Sequence, residues 1–176
     1  MWLQMVKILE ITTDFLCVNM CSYCPQKLLI DNYKGTATLT LDKFKEMLKN
    51  IPTDVILNFA GFCEPFQNPK TADMLVYADK LGYQIKVFTT LVGFTKEMAE
   101  KIKHIKFDRF YVHDIGQPKD YPFITESMTD AEYAPFVTSR AGALWEVPTQ
   151  AFGECKAQGN CSDAVATPNG DLYCCM

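Results

Sequence analysis

Residues 54–91 read DVILNFAGFCEPFQNPKTADMLVYADKLGYQIKVFTTL, and this stretch decides the fold. Asp54–Ala60 is a continuous apolar run, the pattern of a strand covered on both faces. Asn68-Pro69 then opens a helix, with Asn as cap and Pro at the first position, and Gly82 closes it after Leu81. Tyr83–Leu91 returns as a strand. Strand, helix and strand joined by short connections predict a right-handed βαβ unit and a parallel sheet. The pattern extends in both directions. Upstream, Lys7–Thr12 (KILEIT) is a strand, and Leu41–Ile51 is a helix with apolar positions 41, 44, 48 and 51 and Thr40 as its N-cap. Downstream, Thr95–Ile105 is a helix with Met98, Ile102 and Ile105 on one face. Phe107–His113 follows as a fourth strand whose Phe107, Phe110 and Tyr111 are assigned to the core. Past Ile115 the prolines 118, 122, 135 and 148 break the pattern and leave one short helix near Thr129–Pro135. The expected architecture is α/β: a partial (β/α) barrel over residues 1–140, then an irregular Cys-rich β-hairpin extension over 141–176. Chemistry in such a sheet sits at the carboxyl edge of the strands.

A length of 176 residues suits one domain and falls short of the ~250 of a closed eight-unit barrel. A net charge of −4 argues against a nucleic-acid face or an anionic-membrane face. No apolar run approaches the ~20 residues that span a bilayer. Met1–Lys7 shows no basic region leading into a long apolar stretch, so the expectation is a cytoplasmic chain. The abnormal number is eight cysteines. In a reducing compartment clustered thiols bind metal or do redox chemistry rather than pair as disulfides.

Cys17-Val-Asn-Met-Cys21-Ser-Tyr-Cys24 is C-x3-C-x2-C in the loop after the first strand. Three thiolates at this spacing can hold a cubane Fe–S cluster and leave one iron without a protein ligand. Structural zinc is the alternative, but it takes four protein ligands, and both histidines, His104 and His113, are far along the chain. A second group, Cys155, Cys161, Cys174 and Cys175, surrounds Thr167–Tyr173, where Asn169-Gly170 reads as a tight hairpin turn. Zinc competes with Fe–S there as well. Cys63 reads as a small buried filler. The Lys96–Lys106 charge run is a solvated helix face, His113 a structural histidine, and Arg140 a surface arginine able to clamp a carboxylate.

The cysteine loop, with an aromatic before its last cysteine and a first strand before it, resembles the radical S-adenosylmethionine (SAM) superfamily over residues 7–115. The resemblance implies that Cys17, Cys21 and Cys24 bind a [4Fe–4S] cluster whose open iron chelates SAM. Reductive cleavage of the sulfonium then yields a 5′-deoxyadenosyl radical. Ala60-Gly61-Phe62-Cys63-Glu64-Pro65 resembles the family's G-x-G-E-P segment, with Cys63 in place of a glycine. Gly61 and Glu64 would then meet the SAM amino group, Glu64 through a charge-assisted hydrogen bond. Tyr23 would meet adenine, and Thr89 and Thr90, at the end of the third strand, would reach the ribose. The tail resembles the SPASM/twitch extensions, which implies an auxiliary Fe–S cluster on Cys155, Cys161, Cys174 and Cys175. Such enzymes act on peptide side chains or oxidise small polar substrates, and take electrons from a flavodoxin- or ferredoxin-type donor. Peptide modification leads among these readings. A non-enzymatic Fe–S carrier or sensor, or a zinc-dependent interaction module, stands against them.

Overall fold

In a computed structural model, residues 7–15, 17–18, 30–114, 133–135, 163–170 and 172–174 are described. The strands are β1 (Ile8–Ile11), β2 (Ile56–Phe59), β3 (Ile85–Thr89), β4 (Arg109–Asp114), β5 (Tyr133–Pro135), β6 (Asp163–Ala166) and β7 (Leu172–Cys174). Helices α1 (Leu41–Leu48), α2 (Thr71–Lys80) and α3 (Lys96–Ile102) alternate with them. All pair into one sheet of order β5-β4-β3-β2-β1-β6-β7, parallel except where β7 returns antiparallel along β6. Among the described residues the sheet is open, with β5 and β7 at its edges.

Helix boundaries follow from local chemistry. Thr40 Oγ1 accepts from Lys43 N at 3.2 Å and Thr95 Oγ1 from Met98 N at 3.2 Å, the side-chain caps that release those helices from the preceding loops. The start of α2 departs from expectation. Asn68 is not its cap: the helix begins at Thr71 behind Lys70, which makes no side-chain cap bond. Asn68 Oδ1 accepts from Lys70 N at 2.8 Å, while its Nδ2 donates to Thr13 O at 2.9 Å and Leu39 O at 2.8 Å. A buried amide with three partners is a tie between β1 and the chain entering α1, which outweighs its use as a cap.

Leu9, Ile11, Leu57, Phe59, Ile85 and Val87 are at most 1% exposed and pack with the apolar faces of α1, α2 and α3. Burying each such side chain contributes about 1.5–3 kcal/mol. The helices therefore share one face of the sheet. Alternation turns Glu10, Asn58, Lys86 and Arg109 to the other face, in one register row across β1 to β4. Phe88 and Tyr111 form the next row, ring centroids 5.3 Å apart. Phe107 and Phe110 join the core as expected; Tyr111 does not, because it lies one residue out of phase with Phe110. Of the helix expected near Thr129–Pro135, residues 129–132 lie outside the described residues, and Tyr133–Pro135 is instead strand β5, paired parallel with Val112–Asp114. The exposed edge of β4 offers backbone partners that local propensity cannot see, and a proline is tolerated on an edge strand.

At the other side, β6 pairs parallel with β1, Ile8 opposite Asp163 through Ile11 opposite Ala166. Thr12 N extends the ladder to Ala166 O at 3.0 Å. A turn closed by Gly170 N on Thr167 O at 2.8 Å leads into β7. No helix among the described residues is long and apolar enough to cross a membrane.

Candidate functional site

The carboxyl edges of β1, β2 and β3 bring together Cys17, Gly61, Glu64, Thr89 and Thr90, five positions that are up to 73 residues apart in sequence. Cys17 is half-buried and carries no disulfide. Its neighbour Val18 donates N–H to Gln67 Oε1 at 2.9 Å, which ties the cysteine loop to the short 3-10 turn Pro65–Gln67 after β2. Phe15 stacks on Phe62 with centroids 6.3 Å apart and packs against Tyr33 at 4.3 Å. Cys21, Tyr23, Cys24, Arg140, Cys155, Cys161 and Cys175 lie outside the described residues. The backbone of Cys174 ends β7 opposite Ala164, on a strand that runs away from the carboxyl edge.

Gly61 has φ +84°, and a Cβ there would lie 2.5 Å from Thr12 Oγ1. Conformation and space both require glycine at this point where β2 leaves the sheet. Cys63 turns inward. Its Sγ accepts from Thr13 N at 3.2 Å and donates to Ala60 O at 3.2 Å, pinning the end of β2 to β1. Burial pushes the thiol up to about 12, so with no metal bound it keeps its proton at neutral pH.

Glu64 is 2% exposed and its carboxylate faces the protein. Oε1 accepts from Phe66 N at 3.3 Å and from the Thr89 hydroxyl. Oε2 accepts from Thr90 N at 2.6 Å and Thr90 Oγ1 at 2.7 Å. Burial pushes the Glu64 carboxyl above the usual carboxylate range, and the four donors pull against it. The hydroxyl protons of Thr89 and Thr90 thus go to Glu64, and Thr89 Oγ1 also accepts from Leu91 N at 2.8 Å.

The β3 edge is strained. Leu91, 3% exposed, adopts φ +62°, a conformation costly for a branched side chain. Two residues on, Gly93 at φ +83° passes so close to the Pro65–Gln67 turn that a Cβ would sit 2.6 Å from Phe66 O. Sequence reasoning missed Thr13, Asn68 and Leu91 as members of this edge. Asn68 carried a local signal, its helix-cap chemistry, that pointed to the wrong partner. Leu91 carried none.

No family model and no curated protein matches the sequence. Solved structures do match its fold. BtrN in complex with AdoMet and 2-DOIA superposes with a TM-score of 0.68 at 16% identity, covering 96% of this chain and 72% of that one. Selenomethionine BtrN in an open conformation gives a TM-score of 0.62 at 15% identity, covering 96% and 68%. The chain shares the α/β fold of BtrN.

Proposed function

We propose that the chain is a radical SAM enzyme. The observation that carries this reading is the position of the C-x3-C-x2-C loop: it leaves the carboxyl edge of β1 beside the Gly61–Glu64 edge of β2, in the fold of a protein that has been solved with AdoMet bound. Cys17, Cys21 and Cys24 supply three soft thiolate ligands, a set that suits an Fe–S cluster with one open site better than zinc. When bound, a [4Fe–4S] cluster supplies the electron that cleaves SAM to methionine and the 5′-deoxyadenosyl radical, which takes a hydrogen atom from substrate.

The protein's own part is positioning. Gln67 holds the start of the cysteine loop through Val18 N–H. Glu64 joins β2 to β3 through Thr89 and Thr90, fixing the strand edge along which the amino-acid end of SAM would lie. With its four donors in place Glu64 acts here as a positioning residue, and Gly61 lets the backbone approach the ligand. Tyr23 is assigned to the adenine. Cys155, Cys161, Cys174 and Cys175 are assigned to an auxiliary Fe–S centre. Electrons would come from a flavodoxin- or ferredoxin-type donor in the cytoplasm.

Anaerobically reconstituted protein given SAM and a strong reductant should release 5′-deoxyadenosine, and Cys17→Ala, Cys21→Ala or Cys24→Ala should abolish release. Release at the wild-type level from Cys21→Ala would overturn the assignment, and an iron-loaded wild type that never cleaves SAM would leave an electron carrier. Iron analysis should find about eight irons per chain, falling to about four when Cys155 and Cys161 are both replaced by Ala. Four irons in both proteins, with one zinc in the wild type alone, would replace the auxiliary cluster by a zinc staple.

A further inference from the structure

The chain enters the cysteine loop through a closed base. Phe15 N donates to Ala37 O at 2.9 Å and Leu39 N to Thr13 O at 2.9 Å. Between them Thr38 Oγ1 donates to Asp14 Oδ2 at 3.1 Å. Asn68 Nδ2 bonds Thr13 O and Leu39 O, one on each side of this clasp. Cys17, the first of the three cysteines, follows the clasp, and the next amide belongs to Val18. Val18 is 60% exposed, so packing contributes little to holding the chain there. A side chain 49 residues away holds it instead: Gln67 Oε1 accepts from Val18 N at 2.9 Å.

Gln67 reaches out from a rigid support. Its N donates to Glu64 O at 3.1 Å, closing the 3-10 turn. On either side the turn is tied down: Thr13 N donates to Cys63 Sγ and Thr13 Oγ1 to Pro65 O, while Glu64 meets Thr89 and Thr90. The backbone of Gln67 is thus fixed against β1 and β3, and its amide oxygen carries that placement to the residue beside Cys17. Partners that orient metal ligands typically matter by roughly 10–100-fold in metal affinity or activity. Hydrogen bonds to the sulfurs also help set the potential of an Fe–S cluster. An N–H donated to sulfur favours the more negative, reduced cluster and raises the potential. The Val18 N–H goes to a carbonyl oxygen instead.

We infer that Gln67 is a positioning residue for the cluster: it fixes the backbone beyond Cys17 and keeps the Val18 N–H from the cluster sulfurs, which holds the reduction potential low. A low potential is what the transfer of an electron into a sulfonium bond requires. The inference rests on the radical SAM reading for the identity of the cluster. The role needs one acceptor oxygen at the end of a side chain of this length. Gln and Glu both supply it, whereas Leu and Ala do not.

The test uses the full chain as wild type, Gln67→Leu and Gln67→Glu. Amide hydrogen exchange of the isotope-labelled, iron-free chain reads Val18 directly. Reductive titration of the anaerobically reconstituted chain, followed by EPR, gives the potential of the cluster whose signal SAM perturbs. In Gln67→Leu the Val18 amide should exchange about tenfold faster, from the loss of one neutral hydrogen bond. Reduction of the cluster should become about tenfold more favourable, a rise of about 59 mV for one electron. Gln67→Glu should leave Val18 protected as in the wild type, and its added negative charge should leave the potential at or below the wild-type value. The bond is exposed, so the melting temperature of the iron-free chain should fall by no more than about 4 °C in either variant. Should Gln67→Leu fail to fold, Gln67→Ala is measured in its place. A potential that stays or falls in Gln67→Leu overturns the inference. So does unchanged Val18 exchange in that variant, or exchange in Gln67→Glu as fast as in Gln67→Leu. A wild type that assembles no cluster overturns the radical SAM reading and the cluster role of Gln67 with it. A wild type that cleaves SAM, beside a Gln67→Leu chain of the same potential, overturns the role of Gln67 alone.

Discussion

Replacing Glu64 by Gln removes one charge and keeps the shape, which makes it the sharpest probe of the β2–β3 edge. The carboxylate accepts from two backbone N–H groups, Phe66 at 3.3 Å and Thr90 at 2.6 Å, and from the hydroxyls of Thr89 and Thr90. An amide places one NH2 where an acceptor stood. The better orientation keeps oxygen toward Thr90 and sets NH2 against Phe66 N–H, donor to donor. Hydrogen bonds to a charged group contribute about 1.5–3 kcal/mol and neutral ones about 0.5–1.5, and an orphaned buried N–H costs about 1–3. The burial penalty of the carboxylate, which raises its pKa, disappears in the amide and offsets part of the loss. The expected net destabilisation is about 2–3 kcal/mol, or roughly 5–10 °C in Tm for a chain of this size. SAM affinity should fall by no more than about tenfold, as follows from a displaced edge rather than a lost ion pair. Thermal unfolding and SAM titration of the same anaerobic samples measure both. A Tm within about 1 °C of wild type together with a SAM affinity down by a hundredfold would refute the reasoning: the carboxylate would then face the SAM ammonium and not the threonines.

Gly93→Ala should lower stability by about 2 kcal/mol or more, since it adds the ~1 kcal/mol penalty of a left-handed conformation to a Cβ pressed 2.6 Å from Phe66 O; an unchanged urea midpoint would contradict the close approach. Cys63, its thiol pushed up to about 12 by burial, should escape iodoacetamide in the folded protein at pH 8 and react on unfolding, as peptide mapping would show. The folded state keeps that proton longer than the unfolded one, whose thiol titrates near 9.0, so Cys63 costs the fold stability as pH rises above 9. Tyr83→Phe removes the hydroxyl that donates to Ile51 O at 2.6 Å and should cost about 1–2 kcal/mol, read from chemical denaturation.

The sequence by itself determined what lies close to it along the chain. The apolar run 54–60, the caps Thr40 and Thr95 and the alternation of periods give β1 to β4, the three helices and the parallel pairing, because propensity, capping and burial patterns act over a few residues. The C-x3-C-x2-C loop was equally legible, as metal-ligand spacing is a local property of the chain. Contacts across strands were not. That Glu64 meets Thr89 and Thr90, 25 and 26 residues on, depends on the register of β2 against β3, where Leu57 faces Ile85. The pairing of β2 with β1 brings Asn68 to Thr13 and Leu39 and away from its helix. Residues 133–135 became a strand because the β4 edge offered backbone partners. Thr12 and Asn58 look like ordinary strand residues in sequence; only the fold shows that each carries a buried polar atom without a partner. A polar group's partner is fixed by where the fold brings the other chain segment, and that is a property of the tertiary structure rather than of any local run of residues.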